Sequence, residues 1–202
     1  MIEANGIAKL DRERAEWLLR RFLPLFEQFE ARKIDYCLVG GLAVLAHCLD
    51  RDSNRLRATV DADILVPDGY SNAEFAQDYL RVYAANPAIA PLVYKAVFGE
   101  EGFEELSLEE NAFANLAFIG ADEALDGVDT PDFDVCRKLN GRTLSTVKRQ
   151  RIVVCGMPIW VATVDELLGM KKDTMALYGE AGLRPQDYLD MRTLESLEDK
   201  RD

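Results

Sequence analysis

One histidine, His47, stands among 202 residues, and the four cysteines (Cys37, Cys48, Cys136 and Cys155) are irregularly spaced with no Cys-x-x-Cys. That set offers no ligand constellation for structural zinc. Three of the cysteines sit in apolar runs, which predicts buried free thiols in a reducing compartment. Long hydrophobic runs are also missing. The longest uncharged apolar stretch, residues 36–49, is too short to span a bilayer and contains two glycines and the histidine. Residues 1–6 lack the basic start and apolar run of a signal peptide. A cytoplasmic protein with no membrane partner is expected. No linker, internal repeat or low-complexity segment interrupts the chain.

What is present is globular composition, 49% apolar and 30% charged, in a length that buries a full core. Net charge is −12, which argues against a nucleic-acid partner. Its distribution is uneven. Residues 96–136 hold twelve carboxylates and no Lys or Arg, whereas residues 137–164 hold six basic residues (Arg137, Lys138, Arg142, Lys148, Arg149, Arg151) and no acid. Either the second block presents one basic face, or the two are solvated segments of opposite sign.

Helical spacing of Leu10, Ala15, Leu18, Leu19, Phe22, Leu25, Phe26 and Phe29 predicts a helix over 9–31, bent or split at Pro24. A buried strand over 36–39 leads through Gly40-Gly41 into a buried helix over 42–49. A polar loop, a second strand over 59–66 and a helix over 72–85, capped by Ser71 with Glu74, follow. Residues 92–98 and 112–119 fit helix or strand. Residues 133–136 read as a strand, and residues 151–155 and 158–161 as a hairpin turning at Gly156-Met157. Thr163 with Glu166 reads as a capping box, and a last helix starts near Pro185.

The chemistry concentrates in Gly40-Gly41 and in Asp61-Ala62-Asp63 at the head of an apolar strand. Glycines let backbone approach a triphosphate, and alternate residues of a strand share a face, so Asp61 and Asp63 point the same way. Two neighbouring carboxylates repel unless a cation lies between them, and hard oxygen ligands suit Mg²⁺. Strand-end surface aspartates are the alternative. An EF-hand is excluded because Leu65 and Val66 stand where that loop needs an oxygen ligand and glycine, and no Gly-Lys-Ser/Thr follows the diglycine to make a P-loop. Asp134, between Phe133 and Val135, is the candidate third acid. Asp132 is the reserve, and Glu104 and Glu105 are weaker choices. Lys171 is a flexible point charge suited to phosphate, while Lys172 faces about 100° away. Asp187 and Asp190 share a helix face and are placed to hold Arg184 or Lys171. His47 reads as a satisfied helix-end histidine.

Val39-Gly40-Gly41-Leu42-Ala43, followed by Arg57-x-Thr59-x-Asp61-x-Asp63-Ile64-Leu65, resembles the DNA polymerase beta-like nucleotidyltransferase superfamily, and within it the bacterial AbiEii-type toxins. Asp165-Glu166-Leu167-Leu168-Gly169-Met170-Lys171 and Arg184-Pro185-Gln186-Asp187-Tyr188-Leu189-Asp190 are similar to that group's Leu-Ile-x-x-Lys and Arg-x-x-Asp-x-x-Asp segments. The resemblance implies an α/β (α+β) nucleotidyltransferase fold, a small mixed sheet flanked by helices. Residues 1–162 would form the nucleotidyltransferase domain, with a C-terminal helical part, 163–202, packed on it.

It further implies that Gly40, Gly41, Arg57, Thr59 and Lys171 bind the nucleoside triphosphate, supported by Asp187, and that Asp61, Asp63 and Asp134 are catalytic and hold Mg²⁺. Leu42 stands where many such enzymes carry a hydroxyl residue, leaving Thr59 to supply it. The 50–55 loop lengthens the usual interval, and Arg55 or Arg57 is placed to touch phosphate. The expected reaction is transfer of a nucleoside monophosphate to an acceptor hydroxyl on tRNA or protein, as the toxin of a toxin–antitoxin pair with an antitoxin partner. The alternatives are transfer to a small molecule such as an antibiotic, which suits an acidic protein, and a non-catalytic binding protein of the same fold.

Overall fold

The computed structural model describes residues 10–59, 61–83, 114–115, 132–178 and 184–198. The first apolar stripe forms two helices, α1 (Arg12–Arg20) and α2 (Leu23–Arg32). The break falls at Arg21-Phe22, so that Pro24 lies in the first turn of α2, where its missing N–H costs nothing. Asp11 caps α1 by accepting from the Arg14 N–H at 2.8 Å. Then come β1 (Cys37–Val39), α3 (Gly40–Asp50), β2 (Asp61–Leu65) and α4 (Asn72–Tyr83). The diglycine is thus the first turn of α3 itself. The cap of α4 is a complete box: the Ser71 N–H donates to Glu74 Oε2 at 2.9 Å and the Glu74 N–H to Ser71 Oγ at 3.2 Å.

The pair β3 (Ala114–Asn115) is a strand, and the remainder of 92–98 and 112–119, with Glu104 and Glu105, lies outside the described residues. β4 (Asp132–Cys136), the short ribbon β5 (Lys138–Leu139) and β6 (Arg142–Thr143), and the hairpin β7 (Arg149–Val154) and β8 (Met157–Ala162) follow. The hairpin turns one residue earlier than expected. Cys155 (φ 51°) and Gly156 (φ 83°) both occupy the left-handed region that a two-residue turn requires, and Met157 already pairs with Val154.

Helices α5 (Val164–Tyr178) and α6 (Pro185–Glu198) close the chain. Only half of the Thr163–Glu166 box forms. The Glu166 N–H donates to Thr163 Oγ1, but the Thr163 N–H is taken by the Lys148 carbonyl, so the Glu166 carboxylate is free to accept from Arg142.

The main sheet has six strands in the order β3-β4-β2-β1-β8-β7. It is mixed: β2 runs parallel to β4, β1 parallel to β8, and the remaining pairs are antiparallel. Alternation along β2 and β4 sends Ala62, Ile64 and Phe133, all fully buried, to one face. There Phe133 meets Phe22 edge-on at 5.3 Å and lies within ring contact of Phe26, Phe75 and Tyr79, while Phe26 stacks on Tyr36 at 5.1 Å. That aromatic cluster fixes the orientation of β2 and β4, and so aims their acids to the opposite face. Helix α3 is buried along its length, from Leu42 to Leu49, and packs on β2, α1, α5 and α6. Cys37, Cys48 and Cys136 are buried, Cys155 is half-buried, and all four are free thiols.

Candidate functional site

The chain leaves β1 at Val39 and enters α3 through Gly40, whose φ of 65° favours glycine. A Cβ at Gly40 would stand 1.8 Å from Asp63 Oδ2, so the carboxylate lies directly against the backbone there. At Gly41 a Cβ would meet Arg57 Nη2 at 2.8 Å and Thr59 Oγ1 at 2.9 Å. Gly40, Gly41, Arg57, Thr59 and Asp63 therefore crowd one helix turn.

Asp63 pairs in register with Val39 on one side and with Asp134 on the other, and Asp61 with Asp132. Asp61, Asp63 and Asp134 share the face opposite the aromatic cluster. Burial, then the charges of Asp61 and Asp134, push the Asp63 carboxyl up to about 7, against the smaller opposing pull of Lys171 and Arg184. Asp134 is raised too, by burial and by Asp61. The Thr59 hydroxyl donates to Asp61 Oδ1 at 3.2 Å. Among the described residues no group of three or more His, Cys, Asp or Glu side chains is arranged to hold a metal ion by itself. The donor set nevertheless suits Mg²⁺, which commonly takes one or two carboxylates and completes its octahedron with water and substrate phosphate.

A second cluster faces this one. Lys171 lies mid-way along α5, and its Nζ donates to Asp187 Oδ1 at 2.6 Å and approaches Asp190 Oδ2 at 3.0 Å. Lys172 points to solvent. Arg184 Nε donates to Asp187 Oδ2 at 3.2 Å. Burial alone would raise Asp187, but Lys171 and Arg184 hold it below the usual carboxylate range. Asp190, 1% exposed, accepts both arms of the Arg57 guanidinium at 2.5 Å, and Arg57 Nη1 donates to the Ala58 carbonyl at 2.8 Å. Sequence separation of 133 residues hid that fork. An arginine two residues before a Thr-x-Asp strand, with a second acid one turn after Asp187, was its only trace.

The 50–57 loop is tied to α6. Arg51 Nη1 donates to the Leu197 carbonyl at 2.6 Å, and Arg55 Nη1 to the Arg192 carbonyl at 3.0 Å. Arg55 is thus committed to the back of α6. The basic block of residues 137–151 is largely neutralised as well. Arg142 pairs with Glu166 and Asp173, Arg149 with Asp35, and Arg151 with Glu30. Buried His47 shares a hydrogen bond of 2.8 Å between its Nε2 and the Ala162 carbonyl, a tie from α3 to β8.

Among solved structures, an antigenic nucleotidyltransferase-like protein from Paracoccidioides brasiliensis matches 94% of this chain and 79% of its own, with a TM-score of 0.54 and 16% identity. This chain has a nucleotidyltransferase-like fold. No protein-family model matches it, and no curated protein matches it. In this chain the crowded turn at Gly40, the acid-bearing strand pair and the cation cluster lie together.

Proposed function

We propose that the protein is a Mg²⁺-dependent nucleotidyltransferase that moves a nucleoside monophosphate from a nucleoside triphosphate to an acceptor hydroxyl. The observation that carries this reading is the Asp63 carboxylate lying directly against Gly40, 1.8 Å from where a Cβ would stand, at the head of α3 where the first N–H groups have no partner within the helix. Asp61, Asp63 and Asp134 would hold Mg²⁺, which when bound neutralises charge developing on the reacting phosphate. Asp134, raised by burial, is suited to accept the proton of the attacking hydroxyl. Gly40 and Gly41 admit the phosphates, and Lys171 and Arg57 supply positive charge beside them. Thr59 orients Asp61 through its hydroxyl.

The resemblance to AbiEii-type toxins favours RNA or protein as acceptor, with an antitoxin as partner. A second reading follows from the internal pairing of Arg142, Arg149 and Arg151. With those arginines occupied and a net charge of −12, a cationic small-molecule acceptor fits the surface better than a polyanion. Incubation with each labelled nucleoside triphosphate, Mg²⁺ and either total RNA, protein extract or a panel of aminoglycosides, with wild type beside Asp61→Ala, separates the two. Label that requires Asp61 is the expected result and its fraction names the acceptor. Absence of Asp61-dependent label from every fraction defeats the transferase reading for those acceptors.

A further inference from the structure

Arg57 and Lys171 come from opposite ends of the chain, one from the loop before β2 and one from α5, yet a single buried carboxylate meets both. Asp190 takes Nε and Nη2 of Arg57 at 2.5 Å each and lies 3.0 Å from Lys171 Nζ. Its side chain is 1% exposed, against 15% for Arg57 and 14% for Lys171. Nη1 of Arg57 is turned to the Ala58 carbonyl, so the guanidinium plane is held at three points. Held so, its Nη2 lies against Gly41, 2.8 Å from where a Cβ would be. A guanidinium has five N–H bonds, and these three contacts occupy one each from Nε, Nη1 and Nη2. One N–H on each terminal nitrogen is left for an anion beside the first turn of α3. Lys171 in turn faces Asp63, whose charged form it favours.

From this placement we infer that Asp190 is the positioning residue for triphosphate recognition, acting through Arg57 and Lys171 without touching the nucleotide. The inference rests on the proposed transferase reading and adds to it the element that turns two flexible cations into a fixed two-pronged receptor. A carboxylate beside an anion site would by charge alone weaken phosphate binding. As an organiser it strengthens binding, because a held fork loses little freedom when it meets phosphate. The two roles predict opposite signs for its removal.

The test is equilibrium binding of each of the four nucleoside triphosphates with Mg²⁺, and kcat and KM where turnover is found, on full-length wild type, Asp190→Asn, Arg57→Lys and the double variant. Thermal melts establish which variants are folded. The expected result for Asp190→Asn is weaker nucleotide binding, about tenfold to a hundredfold in Kd or KM, the loss of a charge-assisted hydrogen-bond pair, with kcat changed far less. Arg57→Lys should lose a similar factor, and the double variant no more than the worse single one, since both break the same fork. Unchanged or tighter binding in folded Asp190→Asn overturns the inference, as does a full multiplicative loss in the double variant. Should Asp190→Asn fail to fold, Arg57→Lys decides: a tenfold loss supports the fork, and wild-type affinity overturns it. If wild type binds none of the four nucleotides, the transferase reading itself falls and this inference with it, a result distinct from one confined to Asp190→Asn.

Discussion

Two groups of aspartates face each other at the start of α3, and their electrostatics are opposite. Asp61, Asp63 and Asp134 stand on β2 and β4 with one another as neighbours, and Asp63 and Asp134 are pushed toward the protonated state. Asp187 and Asp190 stand on α6 with Lys171, Arg57 and Arg184 as neighbours, and Asp187 is held ionised. Asp78, fully buried between α2 and α4, resembles the second group. Burial works against its charge, but Arg32, Tyr70 and Gln28 outweigh it. Aspartates that brace the fold or hold other side chains come with their partners. Asp63 and Asp134 lack, among the described residues, a partner sufficient to offset their burial, which is the pattern that the proposed Mg²⁺ site requires.

Substitutions in the two groups should therefore differ in sign. The largest effect is expected for Asp190→Ala, which leaves Arg57 and Lys171 without their shared carboxylate. Chemical denaturation should show a loss of about 3–5 kcal/mol, the usual cost of breaking a buried pair from one side. Gly40→Ala comes next. Its left-handed backbone costs about 1–3 kcal/mol, and the new methyl must displace the Asp63 carboxylate, so the proposed nucleotidyl transfer should be lost together with any stabilisation by Mg²⁺ in thermal melts.

Asp63→Asn should reverse the sign. At pH 8 without divalent cation its melting temperature is expected to rise by about 2–4 °C, the effect of about 1 kcal/mol in a chain of this size, because an uncompensated charge has been removed. A fall would place Asp63 with the supporting aspartates.

The smallest effect is the pH slope. Asp63 is raised in the folded state from its unfolded value near 3.8 to about 7, so the folded chain binds the extra proton. Its contribution to stability is complete below about pH 4 and disappears as pH rises through 7. Melting temperature in EDTA should accordingly decline by about 2 °C from pH 6.5 to pH 8 relative to Asp63→Asn. Under the proposed function Mg²⁺ would compete with the same proton, so its affinity, followed by titration calorimetry, should be higher at pH 8 than at pH 6. Asp187 works in the other direction, stabilising above its unfolded value and losing that contribution only below about pH 4, outside this window.

The local parts of this arrangement are legible in the residues. Gly40-Gly41, the Asp61-x-Asp63 alternation, the Ser71–Glu74 cap and the i, i+3 spacing of Asp187 and Asp190 are short-range patterns, and each appears where its spacing places it. Asp134 was reachable because it sits between two apolar residues on a strand, although its pairing with Asp63 needed the sheet order. What sequence could not convey is partner choice over distance. Residues 137–151 look like a basic face until Asp35, Glu30, Glu166 and Asp173 are brought up to it, and the Arg57 fork is invisible without α6. Charge along a chain says where ions are, while folding decides which of them remain available.

The ties between the 50–57 loop and α6 carry a consequence for the order in which the molecule is made. Arg51, Arg55 and Arg57 each reach α6, at Leu197, Arg192 and Asp190 in turn. A growing chain that has released β1, α3, β2 and β4 already has its acids, but the element that holds Arg57 and Lys171 is the last helix described. Synthesis proceeds from the N-terminus, so the acid-bearing strands precede their counterweight. A chain stopped or clipped before residue 185 would keep the acids and lose the carboxylates that hold Arg57 and Lys171. The arrangement is thereby restricted to molecules whose α6 has docked.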